Sequence, residues 1–315
     1  MVWTAPIYRQ ADAMRTVDPR AGETMSSNQV KVTAAEKPNG KLAVRQIQDV
    51  DLEAVMMLLV RGFPERNAAY WQRGFEYLRT RPMPEAYPRY GYVMTRGDQM
   101  VGVLLLIFAT ADDGSVRANV SSWYLDPAYR IYSNMLIGPA LRMPGVTLFN
   151  ISPAPQTIDS IRTQRFIQYV SGTYFALAAL GKIMPRVSIK RIQGSTSPDA
   201  SLLEQHAARG CIALELTADG ETFPFIFVKG LAFSSRLRCV QLLYCRNQAD
   251  FVKFAGPLGR WLLLRGFPFV MMDAVGSIPG LRGRYFEGRR KKFYRGDISP
   301  RLGDLSLTEL MVFGP

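Results

Sequence analysis

"SSWYLDPAYRIYSNMLIGPAL", Ser121 to Leu141, reads as a strand that stops at a proline and restarts as a helix. Between the two lie Arg130 and a short polar turn. A helix start exposes several unpaired N–H groups and a partial positive charge, so such a joint suits a phosphate or pyrophosphate. Arg130 adds a charge-assisted contact. The expected donors are the successive amides of Ile131, Tyr132, Ser133, Asn134, Met135 and Leu136. Pro139, inside the helix, removes one hydrogen bond and introduces a kink.

Working outward, "YGYVMT" and "MVGVLLLIFAT" flank "RGDQ", turn residues of the kind that join antiparallel strands. "VRANVSSWYL" follows as a third antiparallel strand. Upstream, "KLAVRQI" alternates like a strand, and "DVDLEAVMMLLVRGFP" offers Asp49 or Asp51 as N-cap for a helix that ends near Gly62 and Pro64. "NAAYWQRGFEYLRTRP" predicts a second helix, interrupted by Gly74 and stopped by Pro82. Downstream come "GVTLFNIS" as a strand, "APQTIDSIRTQRFIQY" as a helix with Ile158 and Ile161 on one face, and "GTYFALA" as a strand. Strand, two helices, three antiparallel strands, helix, strand, helix, strand is an α+β order around one mixed sheet, not a doubly wound parallel one.

Residues 181–210 form a basic, polar crossing that ends in a short helix at "SLLEQHAARG". "CIALELTADGETFPFIFVKG" is a hairpin with its turn at Asp219-Gly220. "LRCVQLLYC" is a strand, "QADFVKFAGPLGRWLLLRG" a helix with Asp250 near its cap, "FPFVMMDA" a strand, and "SLTELMVFG" the last strand. The second part thus repeats hairpin, strand, helix, strand. The expected division is a mobile tail over 1–40, a first domain over 41–180 and a second over 181–315. "RGRYFEGRRKKFYRG", Arg282 to Gly296, reads as a solvated basic loop between the last two strands. Its interleaved aromatics also suit a phosphate-rich partner or single-stranded nucleic acid.

The 315 residues are 48% hydrophobic, enough for a substantial core. Thirty-nine Lys and Arg against 26 Asp and Glu give a formal charge of +13, which favours an anionic partner. Cys211, Cys239 and Cys245 have no metal-site spacing, so neither a disulfide framework nor a zinc site is expected. His206 is the single histidine and lies far from any G-x-S-x-G elbow, which argues against a hydrolase triad. The longest apolar run, Val101 to Ala109, is too short to span a bilayer. No signal-peptide pattern opens the chain, so a cytoplasmic protein without a membrane span is expected.

The strands ending in "WYLDPAYR", the helix after them, the next strand and "IRTQRF" resemble the GNAT superfamily of acyl-CoA-dependent acyltransferases over roughly Lys41 to Leu180. The second half is similar to a partial copy without a phosphate-binding turn. The resemblance implies acetyl-CoA or another acyl-CoA as co-substrate, no metal, and transfer of the acyl group to an amine or, as a lesser option, a hydroxyl. Arg130 falls on the first position of the family's pyrophosphate turn, and Ser133 and Met135 fall on its small positions. The pantetheine arm would pair with the backbone of Trp123 to Leu125, and Trp123 and Tyr124 would wall the acyl pocket. Relatives often carry a glutamate on this strand as base; here Asn119, Ser121 and Ser122 are the polar residues. Ile161 stands where relatives often have an acid tyrosine. Tyr124 is therefore the candidate acid and Ser121 the candidate water-holder. The acceptor would be a small molecule or an anionic group. Two rival readings are a non-catalytic acyl-CoA-binding or regulatory module and a tandem transferase that takes aminoacyl-tRNA.

Overall fold

The structure is a computed structural model that describes residues 40–84, 86–111, 114–192, 194, 197–232 and 237–314. The tail expected over 1–40 lies outside these residues, apart from Gly40. Short alternating and turn-bounded segments give β1 (Leu42–Gln46), α1 (Leu52–Gly62), α2 (Ala68–Thr80), β2 (Gly91–Arg96), β3 (Gln99–Thr110), β4 (Val116–Leu125), α3 (Ser133–Leu141), β5 (Val146–Asn150), α4 (Ile158–Thr163) and β6 (Ile167–Ala176). The series continues with β7 (Ser188–Arg191), α5 (Ala200–Ala208), β8 (Ile212–Ala218), β9 (Glu221–Ala232), β10 (Leu237–Cys245), α6 (Gln248–Leu263), β11 (Phe269–Ala274), β12 (Gly283–Arg295) and α7 (Glu309–Val312).

Local chemistry explains the boundaries. Asp51 accepts the Gln48 amide at 2.8 Å and pairs with Arg45, which secures the entry to α1. Asn67 caps α2 by accepting the Tyr70 amide at 3.0 Å, and Asn247 does the same for Asp250 in α6 at 2.8 Å. Asp219 and Gly220 both adopt positive φ, 53° and 83°, the backbone that a two-residue hairpin of matching twist requires between β8 and β9.

All twelve strands join one sheet in the order β1-β2-β3-β4-β5-β12-β6-β11-β10-β9-β8-β7. β1 to β4 are antiparallel neighbours and β5 lies parallel to β4. β7 to β10 are likewise antiparallel, with β11 parallel to β10. The second half therefore repeats the first strand for strand. The sixth strand of each half is exchanged: β12 pairs with β5, and β6 pairs with β11. The exchanged strands also pair with each other down the middle, from Gly283↔Ala176 to Tyr294↔Ile167.

Side chains alternate across the strands, so each face of the sheet needs its own cover. α3 and α4 cover one face through Leu136, Ile137 and Ile161, and α6 covers the same face further along through Phe251, Phe254 and Leu258. α1 and α2 cover the opposite face, where Leu58, Leu59, Trp71 and Phe75 meet Val103, Leu105 and Ile107. α5 extends that layer through Leu203 against Ile226 and Leu243.

Residues 282–296 are not a loop, contrary to the pattern of their charges. β12 occupies the centre of the sheet, and its Lys292 is 2% exposed with Nζ 3.2 Å from Asp273 Oδ1 on β11. The aliphatic stems and interleaved aromatics let a basic segment act as a strand once its one fully inward lysine has a carboxylate. "SLTELMVFG" is not a strand either: it is a turn followed by α7, whose Met311 and Val312 pack into the α1–α2 layer. Gly74 does not interrupt α2. A Cβ there would lie 2.0 Å from the Phe313 ring, so glycine makes the room in which Phe313 docks. The helix expected from Ala154 into Tyr169 is shorter, because Arg165 at φ 61° ends it and β6 begins at Ile167.

The segment after β12 runs back under β4. Arg117 grips Asp304 at 2.9 Å and the Ser306 carbonyl at 2.8 Å, and the Leu307 amide donates to Nε2 of His206 at 3.2 Å. The other ring nitrogen of His206, Nδ1, is 2.8 Å from the Leu202 carbonyl, so the ring is neutral with its proton on Nδ1. Burial pulls its pKa down from 6.5 to about 4, against smaller opposing effects of the Leu202 carbonyl and Asp304. The unfolded chain takes up the proton first, so this contribution to stability is complete above about pH 6.5 and is lost as pH falls towards 4. Urea unfolding is expected to show a loss of about 2 kcal/mol between pH 7 and pH 5 from this group. That slope should be absent in His206→Gln; an unchanged slope would assign it to other groups.

Candidate active site

The site is built where β4 and β5 part. The two strands pair only from Val116↔Val146 to Asn119↔Phe149. Beyond Asn119, β4 continues to Leu125 with β3 alone as its ladder partner, while β5 ends at Asn150, so one edge of the β4 backbone is left without a neighbouring strand. Alternate N–H and C=O groups on that edge have no strand to pair with, which is the backbone an extended amide-bearing chain would need.

A bulge shapes the same stretch. The β3–β4 register shifts between Val103 and Leu105, and Ser122 has φ 47°. An extra residue in a strand reverses the alternation after it. Ser121 faces the α1–α2 layer, and so does Tyr124, three residues later, while Trp123 packs towards α3. Leu125 is buried at the strand end. Ser121 is also buried, with its Oγ 3.1 Å from Ser122 Oγ.

Tyr124 lies flat against Gly62, where a Cβ would come within 2.5 Å of its ring. Its hydroxyl donates to Asp126 at 3.0 Å, and Arg61 closes on the same carboxylate at 2.9 and 3.1 Å. Burial, followed by the Asp126 contact, raises the Tyr124 pKa. The phenol proton is thus committed to Asp126, which orders this end of β4.

Pro127 opens a 3-10 turn, Pro127–Tyr132, that runs directly into α3 at Ser133. The Ser133 amide donates to the Arg130 carbonyl. A continuous helical backbone uses its own amides, so Ile131 to Leu136 present fewer free donors than an open turn would. The Asn134 side chain is held by Gln164 at 2.7 Å, and Leu136 is buried in the core. Arg130 remains exposed with no ion pair among the described residues, beside Ile131, Tyr132 and Met135, which are 81%, 37% and 40% exposed. The turn therefore offers a phosphate one free guanidinium on an apolar ledge.

The carboxylate missing from β4 arrives from the far end of the chain. Glu309, first residue of α7, sits where the β4–β5 pairing ends. Its amide donates to Asn119 Oδ1 at 2.7 Å, and its carboxylate accepts from Ser152 Oγ just past β5 and from Ser121. Burial raises its pKa above 4.5, with Ser121, Ser152 and Lys292 acting in the opposite direction. A half-buried carboxylate at a strand fork, with raised pKa, suits proton abstraction near neutral pH. No local pattern marks Glu309 for this position; only the acidic first residue of a short helix could have hinted at it.

The fold has counterparts among solved structures. A GCN5-related N-acetyltransferase from Anabaena variabilis aligns over 81% of this chain and 72% of its own at 10% identity, with a TM-score of 0.53. One from Kribbella flavida aligns over 81% and 71% at 14% identity, with a TM-score of 0.51. A Pyrococcus horikoshii protein provisionally assigned as an acetyltransferase aligns over 89% and 97% at 12% identity, with a TM-score of 0.53. The fold is that of the GCN5-related N-acetyltransferases. No family model and no curated protein matches the sequence. On this acetyltransferase fold, the end of the β4–β5 pairing, the bulge at Ser122 and the turn at Arg130 follow one another along the chain. No helix among the described residues is long and apolar enough to cross a membrane, and no group of metal-binding side chains occurs among them.

Proposed function

We propose that the chain is an acyl-CoA-dependent acyltransferase that acylates an amine. The carrying observation is Glu309 bound to Asn119 and Ser152 where the β4–β5 pairing ends. The pantetheine arm pairs with the open edge of β4 at Trp123 and Leu125, and Arg130 takes the diphosphate on the ledge formed by Ile131 and Met135. The thioester carbon then lies near Ser121 and Glu309. Glu309 removes a proton from the incoming ammonium, and the neutral amine adds to the thioester carbonyl. An unpaired β4 amide stabilises the oxyanion. Collapse breaks the C–S bond, and the thiolate leaves with the proton released from nitrogen.

The stretch 282–296, which favoured a nucleic-acid donor, is a central strand on which Arg282, Arg284, Arg289 and Arg290 stay exposed. The lack of a β4 carboxylate, which favoured a non-catalytic module, is met by Glu309. Coenzyme A titrated calorimetrically into the protein is expected to bind saturably. Arg130→Ala should weaken it about tenfold, the effect of one charge-assisted contact. No saturable binding to the unmodified chain would overturn the reading.

A further inference from the structure

In the second half, β10 corresponds to β4 and β11 to β5. β10 pairs with β11 only from Cys239↔Phe269 to Gln241↔Met271, then runs on to Cys245 with β9 along its other edge. Its register against β9 shifts between Leu242 and Tyr244, as that of β4 shifts against β3. The backbone that β4 leaves without a neighbouring strand therefore has a counterpart at Leu243 to Cys245. That counterpart is occupied by the chain itself. The Leu305 amide donates to the Leu243 carbonyl at 2.7 Å, and the Cys245 amide donates to the Gly303 carbonyl at 3.0 Å. Tyr244 and Asp304 form an antiparallel bridge between these two bonds. Gly303 makes the approach possible: its φ is 84°, and a Cβ there would lie 2.7 Å from Cys245 Sγ.

The turn after β10 is engaged as well. Arg246 is held by Asp199 at 2.7 Å and by the Thr222 carbonyl at 3.1 Å, whereas Arg130 has no ion pair among the described residues. Asn247 caps α6, and Asp250 already brings a negative charge to its first turn. We propose that residues 303–305 take the place of a pantetheine arm on β10, close the second half to acyl-CoA, and thereby position Glu309 in the first half. An extended amide chain needs the Leu243 carbonyl and the Cys245 amide, and both are taken. From Leu305 the path to Glu309 is tied down step by step. The Ser306 carbonyl accepts from Arg117, and the Leu307 amide donates to His206. Thr308 Oγ1 donates to the Leu305 carbonyl at 2.7 Å, and the Glu309 amide donates to Asn119. Residues 303–305 are thus positioning residues, and one strand edge is given up to place the base beside the other. The role of Glu309 and the ligand excluded rest on the acyl-transfer reading; the pairing with β10 does not.

The test has an arm on the unmodified chain and an arm on a variant. Calorimetry with coenzyme A is expected to give one site per chain, and hydrogen exchange at the Leu305 and Cys245 amides to stay slow at saturation. Two sites per chain, or faster exchange at these amides once coenzyme A is bound, would overturn the proposal. No binding at all would instead fail the acyl-transfer reading and, with it, the assignment of the excluded ligand. Gly303→Val should keep coenzyme A binding and the acyl-CoA KM while kcat falls about a hundredfold, the scale of a misplaced catalytic group. The pH profile separates positioning from support. Burial holds the Glu309 pKa above 4.5, so a carboxylate released to solvent should shift the acid limb to lower pH. Full kcat in Gly303→Val, an unmoved acid limb, or loss of coenzyme A binding together with kcat would each remove the positioning role. Should Gly303→Val fail to fold, the stoichiometry and exchange of the unmodified chain decide.

Discussion

Glu309→Gln is expected to lower the turnover of an acyl-CoA with its amine by about a hundred- to a thousand-fold, the scale of losing a positioned general base. Glutamine keeps the length of the side chain and can still bond Ser121 and Ser152, so coenzyme A affinity and unfolding midpoint should change little. The pH profile separates catalysis from support. Burial holds the Glu309 pKa above its ordinary value, so the unmodified enzyme should lose rate as pH falls through that raised value. Glu309→Gln should lack this acid limb. A variant that retains full turnover with the limb intact would remove Glu309 from the mechanism.

The second large effect concerns stability. Asp273 and Lys292 are 6% and 2% exposed and join β11 to β12; Lys292 also donates to the Ile151 carbonyl at 3.3 Å. Asp273→Leu leaves an unpaired ammonium in the centre of the sheet and is expected to cost about 3–5 kcal/mol in urea unfolding. Adding Lys292→Met should recover most of that loss, since two apolar residues of similar size need no counter-charge. If the double variant is as unstable as Asp273→Leu alone, the pair is not what couples the two strands.

The hairpins were legible because their turns carry their own chemistry: Gly97-Asp98 joins β2 to β3, and Asp219-Gly220 joins β8 to β9. The joint at Arg130 was legible because a strand, a proline and an apolar helix follow in order. β12 was not. A run of arginine and lysine reads as a loop until Asp273, distant in sequence, is known to meet Lys292. Glu309 was hidden for a related reason: Leu305, Leu307 and the apolar pair Met311-Val312 suggest a strand, and nothing local tells that Arg117 and Asn119 will draw this segment under β4. The bulge at Ser122 left no trace, since two serines in a strand look ordinary, yet it decides that Tyr124 and not Trp123 shares a face with Ser121.

The exchange of β6 and β12 also has a consequence during translation. When the first half has left the ribosome, β5 still has a bare outer edge and β6 has no neighbour on either side. Pairing of Leu148 to Asn150 must wait for Phe293 to Arg295, and the α1–α2 layer waits longer still for Met311, Val312 and Phe313. The nascent chain therefore carries an open strand edge from the completion of β5 until β12 is made, the condition in which sheets from neighbouring chains join. Proteolysis between the halves would leave two incomplete sheets, each lacking its sixth strand.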